Sequence, residues 1–98
     1  MKTTTIRAVT ARLGNFIKVR EERTNAIIVY FTNGIVYTSY DAVVAIYLFG
    51  EGYYYTKYHD YSRTTNLHLL MMISYSKQER IKALADGNAV FIEDYIRP

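Results

Sequence analysis

Asn33-Gly34 stands between two β-branched and aromatic runs, residues 26–32 and 35–38. An Asn-Gly pair in that setting is the strongest short-range hairpin signal. Both central residues of a type I′ turn take positive φ, which these two tolerate. The centre of the chain is thereby committed to antiparallel sheet.

The flanking segments read as further strands. Ser39-Tyr40-Asp41 is a short connection, and residues 42–49 are apolar on both faces, as in a central strand covered on each side. Gly50-Glu51-Gly52 makes a tight turn into a tyrosine-rich strand over residues 53–58. Upstream, residues 1–13 are a weak strand or an ordered arm, and Gly14-Asn15 is a turn. Residues 16–20 alternate apolar and basic side chains, the pattern of a half-buried strand, and Glu22-Arg23-Thr24-Asn25 supplies the next turn.

Patterning changes to helical near Asp60. Ser62 or Thr64 is placed to cap a helix over about residues 64–74. Leu67, Leu70, Met71 and Ser74 lie on one side of it, and Leu69, Met72 and Ile73 widen the apolar surface, so this helix is read as largely buried or packed on a partner. Ser76-Lys77-Gln78-Glu79 is a capping box that opens a second helix over 77–86, burying Ile81, Leu84 and Ala85. Asp86-Gly87 ends it, and residues 89–95 form a closing strand. The expected fold class is α+β, an antiparallel meander of four to six strands with both helices on one face, in a single domain spanning residues 1–98.

Composition removes several classes of function. There is no cysteine, which excludes a disulfide framework, a thiolate metal site and a cysteine nucleophile. The longest apolar runs, 42–49 and 67–73, are too short to cross a bilayer, and the first residues carry no secretory signal; a soluble, cytoplasmic protein is expected. The net charge of +3 is unevenly spread. Lys2, Arg7, Arg12, Lys18 and Arg20 precede the first acid, Glu21, whereas no Lys or Arg falls between Thr24 and Thr56. Arg12, Lys18 and Arg20 are therefore candidate polyanion contacts, although a solvated strand is the commoner reading of so sparse a basic set.

Residues 53–73 hold both histidines and five of the eleven tyrosines. On the strand, Tyr53, Tyr55 and Lys57 share one face while Tyr54, Thr56 and Tyr58 share the other. One face must meet the core, and the other displays rings beside Lys57 and Arg63. Such a ribbon suits a protein interface first and stacked nucleic-acid bases second; good strand formers on a solvated face are the bland alternative. His68 follows Thr64 by four residues and shares its helical face. Arg63, Thr64, Thr65 and His68 at a helix start can hold an anion, or, in an enzyme, His68, Arg63 and Thr65 can serve proton transfer. A histidine buttressing the helix start is the more frequent outcome. His59-Asp60 lacks dyad geometry, because adjacent residues in an extended loop diverge. No phosphate-binding glycine loop, nucleophile elbow or two-histidine metal motif occurs, and no metal or cofactor is expected.

Ser39-Tyr40-Asp41-Ala42-Val43-Val44-Ala45, the glycine turn, the tyrosine-rich strand and Ser62-Arg63-Thr64-Thr65-Asn66-Leu67-His68 together resemble a family of small uncharacterised domains of phages and other mobile elements. That family's pattern is Ser-Tyr-x-Thr-x-Val-Ala followed by Ser-x-Thr-Thr-Ser-Lys-His, and the match covers about residues 30–70. Ala42 replaces the threonine, and Asn66-Leu67 replaces Ser-Lys, which removes a lysine from any anion site. The resemblance implies an accessory protein of a virus or mobile element. The resulting expectation is a non-enzymatic protein that occupies a host protein's surface, such as a component of a nucleic-acid-based defence (anti-CRISPR-like), with a homodimer as one way to cover the first helix. Direct DNA or RNA binding is the rival, and a metal-independent nuclease centred on His68 ranks third.

Overall fold

The computed structural model describes residues Met1–Pro98. In chain order its elements are β1 (Lys2–Thr4), α1 (Ile6–Thr10), β2 (Phe16–Arg23), β3 (Ala26–Phe31), β4 (Gly34–Ser39), β5 (Ala42–Leu48), β6 (Gly52–Thr56), a 3₁₀ turn (Lys57–Asp60), α2 (Arg63–Ile73), α3 (Lys77–Asp86) and β7 (Val90–Ile92). All seven strands join one sheet in the order β1-β7-β6-β5-β4-β3-β2.

The class is α+β, but the sheet is mixed rather than an antiparallel meander of four to six strands. β2 to β6 form the expected meander, with every pairing antiparallel. β7 instead pairs parallel with β6 on one side and with β1 on the other. The reason is geometric: parallel neighbours need a long crossover, and the turn-plus-two-helix segment between Thr56 and Val90 supplies it. The N-terminal segment is also richer than a weak strand. After β1, the side chain of Thr5 accepts from Ala8 N–H and caps the five-residue helix α1, too short to show a period in the sequence.

The β3–β4 hairpin is present, yet its chemistry differs from expectation. Phe31 pairs with Gly34, which leaves Thr32-Asn33 as the loop, and neither loop residue has positive φ. Gly34 is required for proximity instead. A Cβ there would stand 2.5 Å from the Tyr47 carbonyl oxygen and 2.9 Å from a Leu13 methyl. The turn with two positive-φ residues lies one connection later, at Tyr40 (φ 50°) and Asp41 (φ 66°), between the paired Ser39 and Ala42.

Both faces of the sheet are covered. On one, α2 and α3 bring Leu69, Ile73 and Leu84 against Ile28, Tyr37, Val44 and Tyr55. On the other, α1 and the segment after it bring Val9 and Leu13 against Val36, Ile46, Leu48, Tyr54 and Ile92. This double burial explains why the centre of the chain carries no Lys or Arg: a buried cation without a partner is costly. Within the apolar run 42–49, β5 (Ala42–Leu48) is apolar on both faces for the same reason, whereas Phe49 lies past the strand end and is exposed.

The helices bury different faces from those the sequence suggests. In α2 the sheet side is Thr65, His68, Leu69 and Ile73, while Leu67, Leu70 and Met71 are exposed. In α3 the buried residues are Arg80 and Leu84, while Ile81 is exposed. Polar residues occupy the inner positions because the fold supplies them with partners: Ser39 for His68, and His59 and Asn66 for Arg80. The helix limits agree closely with expectation, since Ser62 caps α2, the Ser76/Glu79 capping box opens α3, and Gly87 ends it at φ 76°. β2 is an edge strand exposed along its whole length rather than half-buried. No helix is long and apolar enough to cross a membrane.

Candidate functional site

The β4–β5 turn and the start of α2 converge on one place. Ser39, at the end of β4, sets its hydroxyl 2.8 Å from His68 Nδ1 and 3.4 Å from Thr65 Oγ1. Ser62 Oγ accepts from Thr65 N–H and its hydroxyl donates to Thr65 Oγ1. Tyr40 is held by the positive-φ turn with its ring 5.6 Å from the His68 imidazole, at 31° to it. A tyrosine in the left-handed region is uncommon and costs backbone energy. Here that backbone lays the ring over the histidine while leaving it 44% exposed.

Beside this cluster lies a cavity of about 330 Å³, with Tyr40, Tyr58 and Tyr61 as aromatic walls, the α2 start (Ser62, Thr64, Thr65) as one rim and Arg97 as another. The C-terminal tail is anchored there: the Tyr95 hydroxyl accepts from Val43 N–H, and Arg97 N–H donates to the Tyr58 hydroxyl. The Arg97 guanidinium stands 5.3 Å from the Tyr61 ring centroid, a cation–π arrangement.

The sequence-predicted residues divide sharply. Thr65 and His68 are brought together but are buried, with Thr65 Oγ1 and His68 Nδ1 hydrogen-bonded; burial, and then the charge of Arg23, holds the His68 imidazole below its ordinary pKa. Arg63 is exposed beside them, and Thr64 is exposed on the cavity rim. The tyrosine ribbon does not form an exposed face. Tyr55 and Tyr58 are buried, Tyr54 is buried against the α1 side, and Tyr53 is half-buried. The cause is that both faces of β6 are covered, so neither is left to display rings. Lys57 alone of that strand end is exposed, its ammonium 5.3 Å from the Tyr58 ring.

The basic candidates are not one patch. Arg12 lies on the α1 side, bonded to the Glu51 carboxylate and to the Tyr54 hydroxyl. Lys18 and Arg20 lie on the opposite face of the sheet, 5.2 and 6.0 Å from the Tyr30 ring, with Arg20 also paired to Glu22 at 3.0 Å. His59 and Asp60 do not act on each other as a dyad. His59 Nδ1 accepts from Arg80 Nε–H at 3.1 Å, so the ring proton sits on Nε2. Burial, and then the charge of Arg80, pushes the His59 imidazole down to about 4. Asp60 instead accepts from Asn66 and pairs with Lys77.

Tyr40, Tyr61 and Arg97 were not among the site residues expected from the sequence, although Tyr40 lies in the Ser39–Ala45 segment of the resemblance. Nothing local marks Arg97, whose place depends on the C-terminal tail docking on β5. Tyr40 carried a signal, a bulky residue in a two-residue connection without glycine, which is a recipe for a strained turn.

What fold and site define together is a small α+β domain whose mixed sheet presents an aromatic-walled cavity at a helix start. The chain belongs to a family of unknown function (DUF8033), whose model matches residues 8–90, a span that contains both the Ser39–Ala45 and Ser62–His68 segments. No curated protein and no solved structure is significantly similar to it.

Proposed function

We propose that the protein is a non-enzymatic binding module that docks on another protein through the start and the outward face of α2. One observation carries this reading: Leu67, Leu70 and Met71 stand exposed on the side of α2 turned from the sheet. That row continues through Thr64, one turn earlier, to the cavity rimmed by exposed Tyr40 and Tyr61. Aromatic, methionine and arginine side chains with an apolar centre are the composition of a protein interface. The resemblance of the Ser39–Ala45 and Ser62–His68 segments to phage and mobile-element domains makes a host protein the first partner to test, including a component of a nucleic-acid-based defence.

The test is affinity capture from host lysate, in nuclease-treated and untreated halves, with the wild-type chain and with a Leu67→Asp/Met71→Asp pair, both first shown to melt alike. The expected result is a discrete protein captured by the wild type, whether or not nuclease is added, and lost in the variant. Capture that vanishes with nuclease, or that survives the substitutions, overturns the reading. Light scattering on the purified chain distinguishes a second copy as the occupant of that face.

Direct nucleic-acid binding draws support from Lys18 and Arg20 beside Tyr30 and predicts a steep loss of affinity with salt. A nuclease centred on His68 with Arg63 and Thr65 is weaker, because the imidazole lies beneath Tyr40 with Nδ1 taken by Ser39.

A further inference from the structure

A second cavity, of about 310 Å³, lies on the helix-covered face between β6, α3 and the loop that joins α2 to α3. Its apolar walls are tyrosines. Tyr53 and Tyr55 are parallel (1°) with centroids 5.9 Å apart, and Tyr75 stands edge-on to Tyr53 at 85° and 5.6 Å. Its charged lining is one side of α3: Glu79, Lys82 and Asp86, at the spacing that stacks residues along a helical face.

Tyr55 is the telling residue. It is only 2% exposed, and its hydroxyl is bonded to no protein atom, yet no side-chain polar atom is both sealed from solvent and unpartnered. The hydroxyl therefore opens on the cavity that the residue lines. A nearly buried hydroxyl without a partner is rare in native proteins, because leaving it unpaired costs free energy.

The carboxylates are incompletely used. Glu79 accepts the Ser76 N–H through Oε1 at 3.0 Å, leaving Oε2 without a partner. Asp86 is paired with Lys82 at 2.7 Å, but that lysine side chain is 78% exposed and easily displaced. Two acids against one ammonium give the lining a charge of 1 − 2 = −1, on a chain of net charge +3. The nearby Arg80 guanidinium keeps its positive charge, because its partners His59, Asn66 and the Tyr75 carbonyl are neutral. It is fully buried and does not line the cavity, however, so the charges that face the cavity are Glu79, Lys82 and Asp86. An anion placed here would meet Glu79 and Asp86, whereas a cation with an apolar stem would meet ring faces as well as carboxylates.

We infer that this cavity takes a protonated amine or guanidinium on an aliphatic stem, the chemistry of a lysine or arginine side chain. The charged head lies among Glu79, Asp86 and the Tyr55 hydroxyl, and the stem runs along Tyr53 and Tyr75. The cavity shares no residue with the docking face at α2, so either assignment can fail without the other.

The test titrates the full-length chain at neutral pH with capped arginine amide, with its uncharged analogue capped citrulline amide, and with spermidine, following tyrosine ring resonances by NMR. The arginine amide is expected to bind at least about tenfold more tightly than the citrulline amide and to shift Tyr53, Tyr55 and Tyr75. Glu79→Gln combined with Asp86→Asn erases that preference; glutamine retains the capping box, and a melting curve confirms that the variant folds. Lys82→Ala tightens binding by freeing Asp86. Spermidine binding as tightly as the arginine amide supports the site and assigns it to free amines; weaker spermidine binding supports it and assigns it to a partner's side chain. Equal binding of the citrulline amide, or no shift of the three rings with either cation, overturns the inference. So does a preference unchanged in the carboxylate variant.

Discussion

At the scale of single residues, every side-chain polar atom sealed from solvent has a hydrogen-bond partner. Arg80 is fully buried and hydrogen-bonded to His59, Asn66 and the Tyr75 carbonyl, with no carboxylate among those partners. An adjacent guanidinium donor requires His59 to stay neutral. Burial first, and then the charge of Arg80, hold its pKa at about 4, against 6.5 for an ordinary histidine. Because the unfolded chain binds the proton more readily, the contribution of this site is complete above about pH 6.5 and is lost as pH falls towards 4. His59 should account for about 3 kcal/mol of the fall in folding stability that urea titrations measure across that window, with His68 adding in the same direction. His59→Asn, whose amide oxygen still accepts from Arg80, should flatten the step. A second prediction concerns Tyr40, whose backbone sits in the left-handed region. Tyr40→Gly relieves the turn while removing the ring over His68, so stability should change by less than about 1 kcal/mol. Partner capture in the proposed docking assay should nevertheless fall sharply.

Among the elements, glycines separate into two kinds. At Gly34 the obstacle to a side chain is the neighbouring strand, since a Cβ would overlap the Tyr47 carbonyl. At Gly50 there is nothing within 4 Å, and only the positive φ of 79° resists substitution. Gly34→Ala should therefore cost about 3 kcal/mol, at the upper end of overpacking. Gly50→Ala should cost about 1 kcal/mol. Denaturant midpoints of the two variants give the comparison directly, and equal losses would contradict the close-approach role of Gly34. The element scale is also where the sequence was most readable. Hairpin, caps and helix ends rest on contacts within a few residues, and Ser62, Ser76 with Glu79, and Gly87 each perform the local task that their residue type indicates. The inward face of α2 was not readable, because the sets Leu67/Leu70/Met71 and Leu69/Met72/Ile73 are both apolar. The fold turns Thr65, His68, Leu69 and Ile73 inward, where Leu69 and Ile73 join the core and Ser39, twenty-nine residues from His68 in sequence, bonds its imidazole.

For the molecule as a whole, the sheet has two unlike edges. β1 closes one end beside β7, tied down where Glu93 N–H donates to the Thr4 carbonyl and Ile6 N–H donates to the Asp94 carboxylate. β2 closes the other, with Phe16, Ile17 and Val19 exposed among charged residues. Charged side chains on an exposed edge oppose strand-to-strand aggregation. Reversing Lys18 and Arg20 to Glu should leave stability within about 0.5 kcal/mol per site and leave nuclease-resistant partner capture intact. If the pair abolishes capture, the polyanion reading gains over the docking face on α2.

What the sequence by itself determined is local: a sheet built around a central hairpin, a doubly covered strand within residues 42–49, two capped helices and a closing strand. Each of these follows from short-range sterics, hydrogen bonding and hydrophobic period. Tertiary structure alone decided the parallel placement of β7, the burial of the tyrosines from both sides of β6, the meeting of Ser39, Tyr40 and His68, and the cavity beside them that Tyr40, Tyr61 and Arg97 line. Those outcomes depend on which surfaces a crossover of two helices and a returning C-terminal tail happen to cover. No local preference encodes that choice, because it is made by packing between residues dozens of positions apart.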